Sequence, residues 1–223
     1  MGAQIQLTAA DGHTFSAYVA QPQSGQAKAS VVVLQEIFGV NSHIRSVADR
    51  FAAAGYQAIA PALFDRIRPG IELTYEGPDL EKGRAYKAAT DPAKALLDVA
   101  AAVEQGRAVG KVGAVGFCWG GLLAWMGASE LAGLSAAVVY YGGGVPNNAD
   151  LQPKCPVLAH FGEHDKHIPV DAVKQFAQLQ PAVEVHIYDA DHGFNCDQRG
   201  SFDAAASALA WERTTAFLAA HLK

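Results

Sequence analysis

Two periodicities organise the apolar positions of the chain. Gln4–Leu7 and Thr14–Val19 alternate weakly around the turn signal Asp11-Gly12, which predicts an edge hairpin or a pair of strands. The run Val31–Leu34 is continuous and β-branched, the pattern of a strand buried on both faces of a parallel sheet. From Ser42 to Ala54 the spacing becomes helical, with Ile44, Val47, Ala48 and Phe51 on one face and Gly55 as the stop. Gln57–Ala60 reads as a strand ended by Pro61. Residues 62–90 carry Pro69-Gly70 and Gly77-Pro78 and are too long for an ordinary connector, so they predict a substrate lid or a partly helical excursion. Asp91-Pro92 opens a helix to about Glu104, closed by Gly106. Val112–Phe117, Ala136–Tyr141, Val157–Phe161 and Val183–Tyr188 are the later strands. Val170–Leu179 and Ser201–Leu222 are the later helices.

Strands alternating with helices predict an α/β fold, a mostly parallel central sheet flanked by helices on both faces. In such a sheet a ligand lies beyond the carboxyl ends of the strands. No repeat or linker divides the 223 residues, so one domain over 1–223 is expected. Half of the residues are hydrophobic and 17% are charged, too apolar for disorder. A net charge of −5 argues against a nucleic-acid partner. The N-terminus lacks a basic flank and apolar core, and no apolar run reaches the roughly 18 residues of a membrane span. A soluble, cytoplasmic protein without membrane association is expected, as a monomer or small homo-oligomer. Three widely spaced cysteines, Cys118, Cys155 and Cys196, argue against a disulfide framework and leave room for a reactive thiol.

Cys118 stands in Gly116-Phe117-Cys118-Trp119-Gly120, between two glycines at the junction of a strand and a helix. This is the cysteine form of a nucleophile elbow, whose strained turn leaves no room for side chains two residues either side. The helix beginning at Trp119 aims its free N–H groups and positive end at the sulfur, an arrangement suited to a nucleophile. A nucleophile needs a base and an orienting acid. Asp165 follows the strand ending at Phe161, and His192 follows the strand ending at Tyr188. The order Cys118, Asp165, His192, with spacings of 47 and 27 residues, is the nucleophile–acid–histidine order of α/β-hydrolases. His160, Glu163, His164 and His167 offer metal-ligand chemistry, but a strand running into a loop splays them apart, and no metal is expected. Cys155 and Cys196 lack an elbow and read as inert thiols.

The elbow, together with Gln35-Glu36-Ile37-Phe38-Gly39, Gly162-Glu163-His164-Asp165 and Asp191-His192-Gly193-Phe194, resembles the dienelactone hydrolase (carboxymethylenebutenolidase) family in register over residues 31–194. The resemblance implies an α/β-hydrolase fold without a large cap and hydrolysis of a small-molecule enol-lactone or related ester. It also implies a thioester intermediate on Cys118 and no cofactor. It makes Glu36 the acceptor of the Cys118 proton and the Ile37 and Trp119 backbone N–H groups the oxyanion hole, worth about 3 kcal/mol per donor in related chemistry.

The family's chloroaromatic members bind a substrate carboxylate with two arginines, one shortly before a tyrosine in the lid region and one four residues after the histidine. Here the latter position is Cys196, with Arg199 three residues on, while Lys82 and Arg84 precede Tyr86. Arg84, Lys82, Tyr86 and Arg199 are therefore the substrate-binding candidates. Two alternatives stand beside the lactonase reading: a broad carboxylesterase or thioesterase, and a non-catalytic α/β-hydrolase fold in which the pocket binds a small ligand or Cys118 senses oxidants. A dinucleotide-binding dehydrogenase is excluded by the absence of G-x-G-x-x-G after any predicted strand.

Overall fold

The computed structural model describes residues 2–23 and 25–223. Eight strands form one sheet in the order β1-β2-β4-β3-β5-β6-β7-β8. Strands β1 (Ala3–Thr8) and β2 (Thr14–Ala20) make the antiparallel edge hairpin, and β2 joins β4 (Gln57–Pro61) antiparallel. All later pairings are parallel: β3 (Ser30–Leu34) with β4 and β5 (Val112–Phe117), then β6 (Leu134–Tyr140), β7 (Val157–Gly162) and β8 (Glu184–Tyr188). Every residue of β3, β4, β5 and β7 is buried, as the unbroken apolar runs require of strands covered on both faces. The helices are α1 (Ser42–Ala53), α2 (Asp79–Ala89), α3 (Pro92–Arg107), α4 (Trp119–Glu130), α5 (Val170–Leu179) and α6 (Ala204–His221). Among the described residues no helix is long and apolar enough to cross a membrane.

Local chemistry sets most boundaries. Asn41 caps α1, its Oδ1 accepting the Ile44 N–H at 3.2 Å. Asp91 caps α3 with Pro92 in the first turn, but the helix runs through Gly106 to Arg107 instead of closing there. Gly106 lies against Ser30, whose hydroxyl donates to its carbonyl at 3.0 Å, so tertiary contact outweighs glycine's weak helix propensity. The last helix starts at Ala204 and not Ser201, because Asp203 is its cap and accepts the Ala206 N–H at 2.8 Å. Within residues 62–90 the excursion is partly helical, with a short 3₁₀ turn at Leu63–Arg66 and then α2. Helix α2 seats on the loop after β3, where a Cβ on Gly83 would stand 2.3 Å from the Ile37 carbonyl oxygen. Strand β6 ends at Tyr140. Tyr141, placed in the strand by its apolar pattern, instead has φ +38°.

Candidate active site

Five chain segments leave the carboxyl edge of the sheet side by side and bring Glu36 (after β3), Cys118 (after β5), Tyr141 (after β6), Asp165 (after β7) and His192 (after β8) together. Cys118 has φ +53° and ψ −113°, a strained conformation for a side-chain-bearing residue, and it immediately precedes α4. The turn closes only because its neighbours are glycines: a Cβ on Gly116 would lie 1.9 Å from the Gly120 carbonyl, and one on Gly120 2.3 Å from that of Leu34. The Cys118 N–H donates to the Tyr140 carbonyl at 3.0 Å, which ties the elbow to β6.

Asp165 is buried and fully engaged. Its Oδ1 accepts the N–H groups of His167 (2.8 Å) and Ile168 (3.1 Å), and its Oδ2 bonds His192 Nδ1 at 2.6 Å. A carboxylate only accepts, so Nδ1 carries hydrogen and Nε2 is the nitrogen left for chemistry. Burial opposes charge on His192, but its hydrogen bonds to Asp165 and Cys118 outweigh this and raise its pKa to about 10. Tyr141 packs its ring 5.2 Å from that of His192, and His167 lies edge-on at 5.3 Å. The neighbouring acids are otherwise committed: Asp189 bonds His164, and Asp191 accepts the His192 N–H.

Glu36 is completely buried. Gln35 steadies its backbone, donating from Nε2 to the Glu36 carbonyl at 3.2 Å while Oε1 accepts the Leu63 N–H at 3.1 Å. One carboxylate oxygen, Oε1, accepts from Arg199 Nη1 at 3.3 Å, and the other, Oε2, has no partner among the described residues. The Arg199 side chain is 21% exposed, and although burial disfavours its charge, Glu36 nearby raises its pKa overall. The backbone N–H groups of Ile37 and Trp119 donate to no acceptor among the described residues.

Cys118, His192, Arg199, His167, Ile37, Phe38, Leu80, Arg84 and Lys87 share one cleft of about 290 Å³ with Gly143 and Gly144. Leu80, Arg84 and Lys87 are spaced i, i+4, i+7 on α2 and form its wall. Arg84 pairs with Glu81 on the surface. Lys82 pairs with Asp79 at 2.8 Å and Tyr86 packs 5.6 Å from Phe64; neither lines the cleft. Lys87 and His167 do line it. Lys87 is not among the candidates the sequence supplies, while His167 is exposed, as its loop position predicts, and borders the cleft. His160 and His164 point apart, His160 buried between Tyr188 and Thr214 and His164 turned to Asp189.

The sequence profile of the dienelactone hydrolase family matches residues 15–222. A Synechocystis protein classed as a carboxymethylenebutenolidase is 38% identical over 92% of each chain. The carboxymethylenebutenolidase of Pseudomonas putida is 35% identical, covering 96% of this chain and 95% of its own. A crystal structure from Klebsiella pneumoniae, classed as a dienelactone hydrolase, superposes with a TM-score of 0.81 at 33% identity, over 97% of this chain and 99% of that one. The chain is a hydrolase of the α/β-hydrolase fold and belongs to the dienelactone hydrolase family.

Proposed function

We propose that the protein hydrolyses an enol-lactone or similarly activated ester through a thioester on Cys118. The observation that carries this reading is the His192–Asp165 pair, bonded at 2.6 Å, opening into the same cleft as a cysteine on a strained elbow. Glu36 accepts the Cys118 proton, and the thiolate attacks the ester carbonyl beside the His192 imidazolium. The developing oxyanion takes hydrogen bonds from the Ile37 and Trp119 N–H groups. As the enolate leaves, His192 protonates it. The acylated sulfur no longer carries charge, so one of the two partners that held the His192 proton is lost. His192 then accepts a proton from water, hydroxide attacks the thioester, and as the acid departs Glu36 returns its proton to the Cys118 thiolate, leaving His192 protonated as at the start.

Arg199 is the proposed anchor for a substrate carboxylate, with Arg84 and Lys87 as the exposed cations of the facing wall; Lys82 and Tyr86 stand outside the cleft. A carboxylate drawing Arg199 away from Glu36 Oε1 releases Glu36 for Cys118, which couples substrate entry to thiol activation. The apolar cleft residues Ile37, Phe38 and Leu80 favour a second reading, a broader carboxylesterase or thioesterase on the same machinery. Comparing kcat/KM for a carboxylate-bearing dienelactone, an uncharged enol ester and a thioester separates the two. The lactonase reading expects the dienelactone to lead and Arg199→Met to cost it, but not the uncharged ester, about 1.5–3 kcal/mol. Equal loss on both substrates contradicts the anchor.

A further inference from the structure

A buried polar cluster joins Glu36, the proposed acceptor of the Cys118 proton, to two residues that hydrolysis does not use. Glu36, His43 and Cys196 each offer one ligand atom, all within 4.8 Å of one another, and all three residues are buried. Glu36 Oε2 and His43 Nε2 have no hydrogen-bond partner among the described residues, a costly state for two buried polar atoms. The other nitrogen of His43, Nδ1, bonds Asp197 Oδ1 at 3.2 Å. A carboxylate behind an imidazole that points its free nitrogen inward is the usual support of a metal-ligating histidine. Tyr75 packs edge-on to His43 at 6.2 Å, and its buried hydroxyl is also unpartnered.

We propose that Glu36, His43 and Cys196 form a zinc-type metal site whose occupation withholds Glu36 from Cys118 and so inhibits the enzyme. Thiolate, imidazole and carboxylate together suit zinc or cobalt and not magnesium or calcium, and Arg199 beside Glu36 further disfavours ions held by charge alone. Metal bonds of about 2.0–2.3 Å require the ligand atoms to draw in by about 1 Å, with the fourth position open to water. On binding, the Cys196 thiol gives its proton to solvent and the thiolate bonds the metal. His43 also borders a surface cleft of about 300 Å³ with Ser46, Arg50 and Asp197.

The inhibition rests on the proposed role of Glu36; the metal site itself does not. Cobalt(II) titrated into full-length Cys118→Ser protein is expected to bind one equivalent with a near-ultraviolet sulfur-to-cobalt band that zinc displaces. Adding Cys196→Ser is expected to abolish the band, adding Cys155→Ser to leave it, and adding His43→Gln to keep a sulfur signal at affinity lowered about tenfold or more. Absence of the band in Cys118→Ser, or its survival in Cys196→Ser, overturns the site. In the enzyme with Cys118 intact, zinc is expected to inhibit ester hydrolysis, with Cys196→Ser at least about tenfold less sensitive. Metal bound at Cys196 without inhibition keeps the site and rejects Glu36 as the proton acceptor, so the two failures are distinguishable.

Discussion

Cys118, Asp165 and His192 meet because each occupies the first turns beyond the carboxyl end of a parallel strand, and their identities follow from chemistry that only a few residue types perform. His192 is the side chain whose charge state carries the most information. Its pKa is raised to about 10 by Asp165 and Cys118 working against burial. Removing the thiol, by Cys118→Ala or by capping its sulfur as an uncharged thioether, is expected to lower that pKa, with Asp165 still holding it above the value of a buried histidine lacking a partner. Imidazole NMR titration of the two proteins checks this, and an unchanged His192 midpoint contradicts the assignment of Cys118 as its partner. Legibility of the site stops where partners come from elements distant in sequence. The elbow and strand ends expose Cys118, Asp165 and His192 to sequence reasoning. The meeting of His43 from α1, Tyr75 from the loop before α2 and Cys196 from the loop after β8 leaves no linear trace. Tyr141 is similar, since an aromatic residue at the end of an apolar run reads as strand and only the fold gives it φ +38°.

Among the elements, α2 separates what pattern reveals from what it hides. The buried strands are legible because their apolar runs are unbroken. Helix α2 is legible only as part of a partly helical excursion without bounds, because it is polar on most sides, buries only Gly83 and follows Gly77-Pro78, a turn signal. What holds it is the seat against Ile37, whose N–H is a proposed oxyanion donor. Gly83→Leu is therefore expected to force α2 and the Ile37 loop apart, destabilising the protein by about 1–3 kcal/mol. It should also lower kcat for activated esters by a larger factor than an exposed change such as Lys82→Ala on the same helix. Denaturant unfolding and steady-state kinetics of the two variants check this. Equal kcat in both contradicts the proposed coupling of α2 to the oxyanion hole.

For the molecule as a whole, the sheet's far end carries a pH liability apart from the cleft. His160 on β7 is buried between Tyr188 of β8 (2.8 Å) and Thr214 of α6 (3.0 Å), and burial, aided by His186 and Arg213, holds its pKa well below 6.5. The folded protein keeps His160 neutral while the unfolded chain protonates it below about pH 6.5, so its contribution to stability is present above that pH and lost on acidification. His192, raised to about 10, has the opposite sign: its contribution is complete below pH 6.5 and lost as pH rises towards 10. The expected Tm profile therefore falls on both sides of a neutral plateau. His160→Gln should flatten the acid side and leave the alkaline side in place. Calorimetry of the two proteins across pH checks this, and an acid limb unchanged by His160→Gln contradicts it.

Ester cleavage through a thioester on Cys118 is tested by trapping that intermediate. His192→Ala should slow deacylation more than acylation, so mixing this protein with p-nitrophenyl acetate and quenching in acid should accumulate the intermediate. Peptide mass spectrometry is then expected to find one acetyl group on the peptide containing Cys118, labile to hydroxylamine and absent from the Cys118→Ala protein. Cys118→Ala itself should lose about 10⁴-fold or more in kcat. Turnover retained in Cys118→Ala, or an acetyl group found only at Cys155 or elsewhere, would contradict the account.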